Sequence, residues 1–197
     1  MKRLAICVAA AALVTGCAPR TAPIAPAAMI DPNNPLFAPG YMATAASGDQ
    51  FEIQSSQLAL QMSQNPAVRA FAQMLIADHM RMSQQMAVSA QSAGLMAPAP
   101  ILLPQHQAML DQLRATPYGS FDMAFRDAQV NAHQQALALH QNFAASGDVP
   151  ALRSVAAGAV PVIQAHLSQA QTLNVMAAPP PMQMPPARTT PRPGERG

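Results

Sequence analysis

The sequence holds two cysteines, one lysine and no long apolar run beyond its first residues. Cys7 lies inside the apolar leader and Cys17 at its end, so the rest of the chain has no pair to form a disulfide and no thiol nucleophile. The fold must therefore hold by its core alone. The only lysine is Lys2; once Lys2 and Arg3 are set aside, nine arginines face nine acidic residues. No basic stripe is left to bind nucleic acid, and the surface offers anionic lipid little attraction. G-x-S-x-G, the P-loop and the glycine-rich dinucleotide fingerprint are all missing, which removes the familiar hydrolytic and nucleotide chemistries. Runs of β-branched residues and hairpin turn pairs are almost absent, which argues against a sheet.

What is present begins with an export signal: Lys2 and Arg3 precede the apolar run from Leu4 to Val14, which is too short to span a bilayer. "VTGC" at 14 to 17 resembles a bacterial lipobox, which implies cleavage before Cys17 and lipidation of its thiol and amine. Such a protein is anchored to the membrane through lipid on Cys17 and does not cross it. Ala18, where an Asp would favour retention at the inner membrane, points to the outer membrane, facing the periplasm. Residues 1–16 are thus expected to be a lipoprotein signal peptide and 17–41 a linker, since six prolines fall between 18 and 40. Residues 177–197, "APPPMQMPPARTTPRPGERG" with the alanine at 178 leading, read as a disordered Pro-rich tail. Residues 42–176 are left for one domain.

That domain reads as all-α. Its first helix is expected to start at about 45 to 50 and to end near 63, where Asn65 can cap the next helix and Pro66 suits its first turn. Helix two, about 67 to 92, carries Val68, Phe71, Leu75, His79, Met82 and Met86 at three- and four-residue steps and stops at Gly94. Prolines at 98, 100 and 104 precede a short connecting helix, "QHQAMLDQLRA" at 105 to 115. Helices three, about 120 to 145, and four, about 150 to 174, follow, with Pro161 expected to bend the last. Asp49 and Asp148 each end an "AASGD" and are expected to cap a following helix. The architecture these elements imply is a four-helix bundle.

Three of the five histidines fall on core stripes, His79, His133 and His166, and Glu52 is their counterpart on helix one. Glu52 and His79 each lie about 13 residues from the Asn65–Pro66 turn, or roughly 20 Å along a helix. His133 and His166 each lie about 16 residues from the next turn, roughly 25 Å. In helices roughly 40 Å long, all four therefore sit near mid-bundle whichever way the 93–118 connection runs. Buried imidazole and carboxylate groups need partners, and four at one depth can share a metal ion. Asp78 and Asp127 are further candidates, as extra ligands or as acceptors that hold an imidazole tautomer from behind. Zinc, manganese and iron all accept such donors. The same residues can instead form a purely structural hydrogen-bond network in a non-catalytic envelope or stress-related protein, and Glu52 three residues after Asp49 fits a capping box. Met74, Met80, Met82 and Met86, with "PMQMPP" in the tail, raise a third reading, cuprous copper handling through Met and His in the periplasm. His106 and His140 are expected at the surface or an interface. No residue is singled out as catalytic.

Three stretches, "GDQFEIQSSQLALQMSQNPAVRAFAQMLIADHMRM", "FDMAFRDAQVNAHQQALALH" and "VPVIQAHLSQAQTL", together resemble the bacterial family called domain of unknown function 4142, over about residues 42 to 175. The resemblance implies a ferritin-like bundle in an exported protein and places the family's recurring polar positions on Glu52, Asp78, His79, His133 and His166. The ferritin pattern itself is not met, because no E-x-x-H occurs and Glu52 is the domain's only glutamate. One ion held by three His and one carboxylate is the expectation, in place of a carboxylate-bridged pair.

Overall fold

The computed structural model describes residues 34–176; Cys17, the signal segment, most of the linker and the tail lie outside them. Among these residues five helices form: α1 (Ala38–Met62), α2 (Pro66–Ser92), α3 (Pro104–Arg114), α4 (Phe121–Ser146) and α5 (Pro150–Thr172), with a 3₁₀ turn at Tyr118–Ser120. No strand occurs among the described residues. Two antiparallel hairpins, α1–α2 and α4–α5, pack side by side, α1 against α4 and α2 against α5. The start of α1 meets the end of α4, where Tyr41 stacks on Phe143, while Asn65 at the α1–α2 turn bonds the carbonyls of Asn174 and Met176 beyond α5. The two hairpin turns therefore lie at opposite ends, and the connection from 93 to 120, with α3 in it, runs the length of the bundle. One such crossover between two hairpins is the ferritin-like order.

Local chemistry explains most boundaries. Asn65 accepts the Ala67 N–H at 2.9 Å, and Pro66 opens α2 where its missing donor is not needed. Gly94, the only residue described with positive φ (72°), closes α2: the Leu95 N–H reaches the Ala90 carbonyl and the Gly94 N–H that of Gln91. α1 departs from expectation by starting at Ala38. Its cap comes from the α4–α5 turn, where Asp148 accepts the Ala38 N–H at 2.8 Å. Asp148 therefore caps a helix remote in sequence, and α5 starts behind Val149 without a side-chain cap. Asp49 and Glu52 consequently fall in the middle of α1, where neither can cap and no capping box exists.

The apolar core has two parts. Near the α1–α2 turn, Phe51, Phe71, Leu75, Phe121 and Phe125 pack with Leu110 and Leu113 of α3, which lies across α1 and α4. Near the α4–α5 turn, Tyr41, Met86, Phe143 and Leu152 form the second. Between them lies a slab of buried polar residues. α5 remains one helix through Pro161, which is exposed. Gly158, also exposed, has nothing within 4 Å of where a Cβ would stand. Gly158→Ala is expected to raise stability by about 1 kcal/mol through helix propensity alone, read as a higher denaturant midpoint with an unchanged slope.

Candidate metal centre

The polar slab is built around three imidazoles from three helices. His79 on α2, His133 on α4 and His166 on α5 form a near-equilateral triangle with ring centroids 5.4 to 5.6 Å apart. All three are buried, at 3%, 0% and 2% exposure. Each ring has one nitrogen held from behind. His79 Nδ1 donates to Asp49 Oδ1 at 2.8 Å, and Asp49 Oδ2 in turn accepts from Ser83 Oγ at 2.7 Å. His133 Nδ1 donates to the Gln129 carbonyl one turn back, at 2.8 Å. His166 Nε2 donates to Asp78 Oδ2 at 2.9 Å, and Arg81 holds the other oxygen of Asp78 at 2.8 Å.

These partners set the tautomers. With a proton on each of those nitrogens, His79 Nε2, His133 Nε2 and His166 Nδ1 present lone pairs, and these three buried atoms have no hydrogen-bond partner. The three rings can each offer one nitrogen within 4.8 Å of the others. Nitrogens around a single ion at about 2 Å stand some 3.5 Å apart, so small side-chain rotations close the set. Anionic or carbonyl support behind each imidazole is the usual outer arrangement of a histidine metal site.

Electrostatics suit a cation. Burial pushes the His133 pKa down to about 3, with the nearby His79 adding to the effect, so the ring stays neutral at physiological pH. Burial likewise depresses His166, partly offset by Asp78. On His79 burial also disfavours charge, but Asp49, Glu52 and Asp78 together outweigh it and raise its pKa. Burial raises Glu52 to about 7 against the opposing influence of His79 and Gln129.

The expected residues divide. The structure brings His79, His133 and His166 together. Glu52 sits beside them, with Oε1 at 3.6 Å from His133 Nδ1, on the side of that ring away from the free nitrogen, and with Oε2 unpartnered. Asp78 bonds the His166 ring. Asp127 does not: it is exposed and paired with Arg126 at 2.8 Å, because six residues before His133 falls on a different helix face. The Gln129 carbonyl fills the place expected of Asp127. His106 and His140, expected at the surface or an interface, are buried at 6% and 4%. Of the α2 methionines, Met80 is exposed, Met86 packs in the second core cluster, and Met82 borders the cavity beside His79. Asp49, expected as a helix cap, instead supports His79 and bonds Ser83, which lies at nearly the same depth about the Asn65 turn.

A family model described as Domain of unknown function (DUF4142) matches residues 23–173. The chain belongs to this family. No curated protein matches it. Two solved structures are similar to this DUF4142 member. "CopM in the Cu(II)-bound form" has 21% identity and a TM-score of 0.56, over 68% of this chain and 92% of that one. "CopM in the Ag-bound form (by co-crystallization)" has 19% identity and a TM-score of 0.55, over 69% and 93%. At such identity the likeness shows a shared fold. Among the described residues no helix is long and apolar enough to cross a membrane.

Proposed function

We propose that this DUF4142 protein handles metal in the bacterial envelope, binding one transition-metal cation between His79, His133 and His166. The observation that carries the reading is the convergence of three unpartnered imidazole nitrogens, each oriented by a bond on the other side of its ring. A structural network gives no account of them, since buried polar atoms normally find partners, and each of the three rings offers a nitrogen within 4.8 Å of the others. Three imidazole nitrogens with carboxylates close by suit copper and zinc better than manganese, which prefers oxygen. The similar CopM structures, with Cu(II) and Ag bound, agree with that choice. Iron remains compatible with the donors. The role proposed is sequestration or transfer, with Glu52 offering charge compensation nearby, in a lipoprotein held at the outer membrane through Cys17 and facing the periplasm.

The test is elemental analysis of the full-length chain purified from the envelope without tag or chelator. Wild type should carry near-stoichiometric metal, and His79→Gln and His133→Gln should lose it while staying folded. A folded, metal-free wild type whose melting is unchanged by added copper, zinc, iron or manganese would favour the structural network. Saturation at 100 times the Kd should add about 2.7 kcal/mol to stability.

A further inference from the structure

The three-histidine centre is sealed, so a cation must reach it through the protein. The residues around it offer two sides of approach. On one, Asp78 is 20% exposed, but its carboxylate is already shared between His166 and the Arg81 guanidinium, whose positive charge repels an incoming cation. On the other, a cavity of about 50 Å³ lies under α3, between α1 and α4. It reaches from the exposed Gln105 and Gln135 inward to Glu52, His79 and His133, and no arginine or lysine lines it. That volume admits a few water molecules, at roughly 10 to 15 Å³ for each.

Two histidines that the centre does not use also line this cavity. His106 comes from the first turn of α3, and its Nδ1 bonds Ser47 Oγ at 2.6 Å. His140 comes from α4, and its Nδ1 bonds the Tyr41 hydroxyl at 3.0 Å. In the tautomer with Nδ1 protonated, each ring donates to its hydroxyl and Nε2 keeps a free lone pair; Ser47 Oγ also accepts the Leu103 N–H at 2.7 Å. Burial lowers the pKa of both, that of His140 to about 4, so both rings are neutral donors at physiological pH. Asp49 and Glu52 on the inner wall attract positive charge deeper.

We infer that His106 and His140 form an entry station, passing a divalent cation from the Gln105–Gln135 mouth to the His79, His133 and His166 centre. The inference rests on the metal-binding reading of that centre. A partly hydrated ion exchanges water for imidazole at the station and again at the centre, so it never crosses the apolar interior with its charge uncompensated. No electron moves and no covalent bond forms. The station changes the rates of loading and release, leaving the final affinity alone.

The experiment follows zinc transfer from a fluorescent zinc indicator to the metal-free, detergent-solubilised full chain. The paired variant His106→Asn with His140→Asn keeps a polar atom where each Nδ1 was and removes each Nε2. Gly48→Leu replaces no histidine; Gly48 lines the cavity 3.9 Å, measured from a Cβ, from the His106 ring, so the larger side chain obstructs the passage. Both variants should load at least tenfold more slowly and release zinc more slowly by the same factor, with one zinc bound at unchanged affinity. Wild-type rates in both variants would overturn the route while leaving the centre standing. Unchanged loading with a lost or weakened zinc in the Asn pair would overturn it too, by making the two histidines static ligands. A wild type that takes up no zinc would sink the centre and the route together.

Discussion

Phe143→Ala should destabilise the bundle by about 4 kcal/mol, a large part of the 5 to 15 kcal/mol typical of a domain. Phe143 is fully buried and stacks on Tyr41 with centroids 3.8 Å apart and rings 11° from parallel. It also fills the space over Gly147, where even a Cβ would meet the ring at 2.6 Å. Removing it leaves a void, unseats Tyr41, and loosens the end of the bundle where Asp148 caps α1. Urea unfolding followed by circular dichroism measures the loss, and a change below 1 kcal/mol would show that this end contributes little to global stability. The metal content should be unchanged, because His133 lies ten residues, about 15 Å, along α4.

Glu52→Gln should make the metal-free protein more stable at pH 8, by about 3 kcal/mol, and nearly unchanged at pH 4. Glu52 has an ordinary pKa of 4.5 when unfolded and about 7 when buried. Between those values the native state holds a proton that the unfolded chain has released, so stability falls as pH rises, by about 1.4 kcal/mol per unit of the difference. Glutamine stays neutral and escapes that loss. His79, whose pKa is raised, adds to the alkaline decline and leaves a residue of it in the variant. On the acid side the sign reverses. His133 and His140, depressed to about 3 and 4, stay neutral while the unfolded imidazoles protonate near 6.5. The stability they give above pH 6.5 is lost on acidification, about 3 kcal/mol each by pH 4. Denaturant midpoints from pH 4 to 9 test both arms. An alkaline decline as steep in Glu52→Gln as in wild type would remove Glu52 from the explanation.

How much of this was legible in the sequence depended on whether the cause was local. Asn65, Pro66 and Gly94 act within their own turns, so the helices from α2 onward could be bounded to within a few residues. The start of α1 could not, because its cap is supplied from 110 residues away. The three histidines were found because equal distance from a shared turn means equal depth, a property of helix rise alone. Their supports were harder. The Gln129 carbonyl is backbone and carries no residue signature, so Asp127 was the wrong guess. Asp49 reads as a helix cap in the sequence because the true start of α1, capped by Asp148, lies eleven residues earlier at Ala38. His106 is buried because α3 folds back over α1, which the pattern of α3 does not reveal.

The crossover that separates the hairpins also orders events in time. Each hairpin joins neighbours in sequence, whereas the contacts that dock one on the other span 99 residues at Tyr41 and His140 and 110 at Ala38 and Asp148. Contacts of that span must overcome loop-closure entropy and set the slow step of folding. His79 belongs to the first hairpin, and His133 and His166 to the second, so the triangle exists only after docking. A cation held there resists the separation of the hairpins, and its effect should be greatest on the rate at which the chain first comes apart.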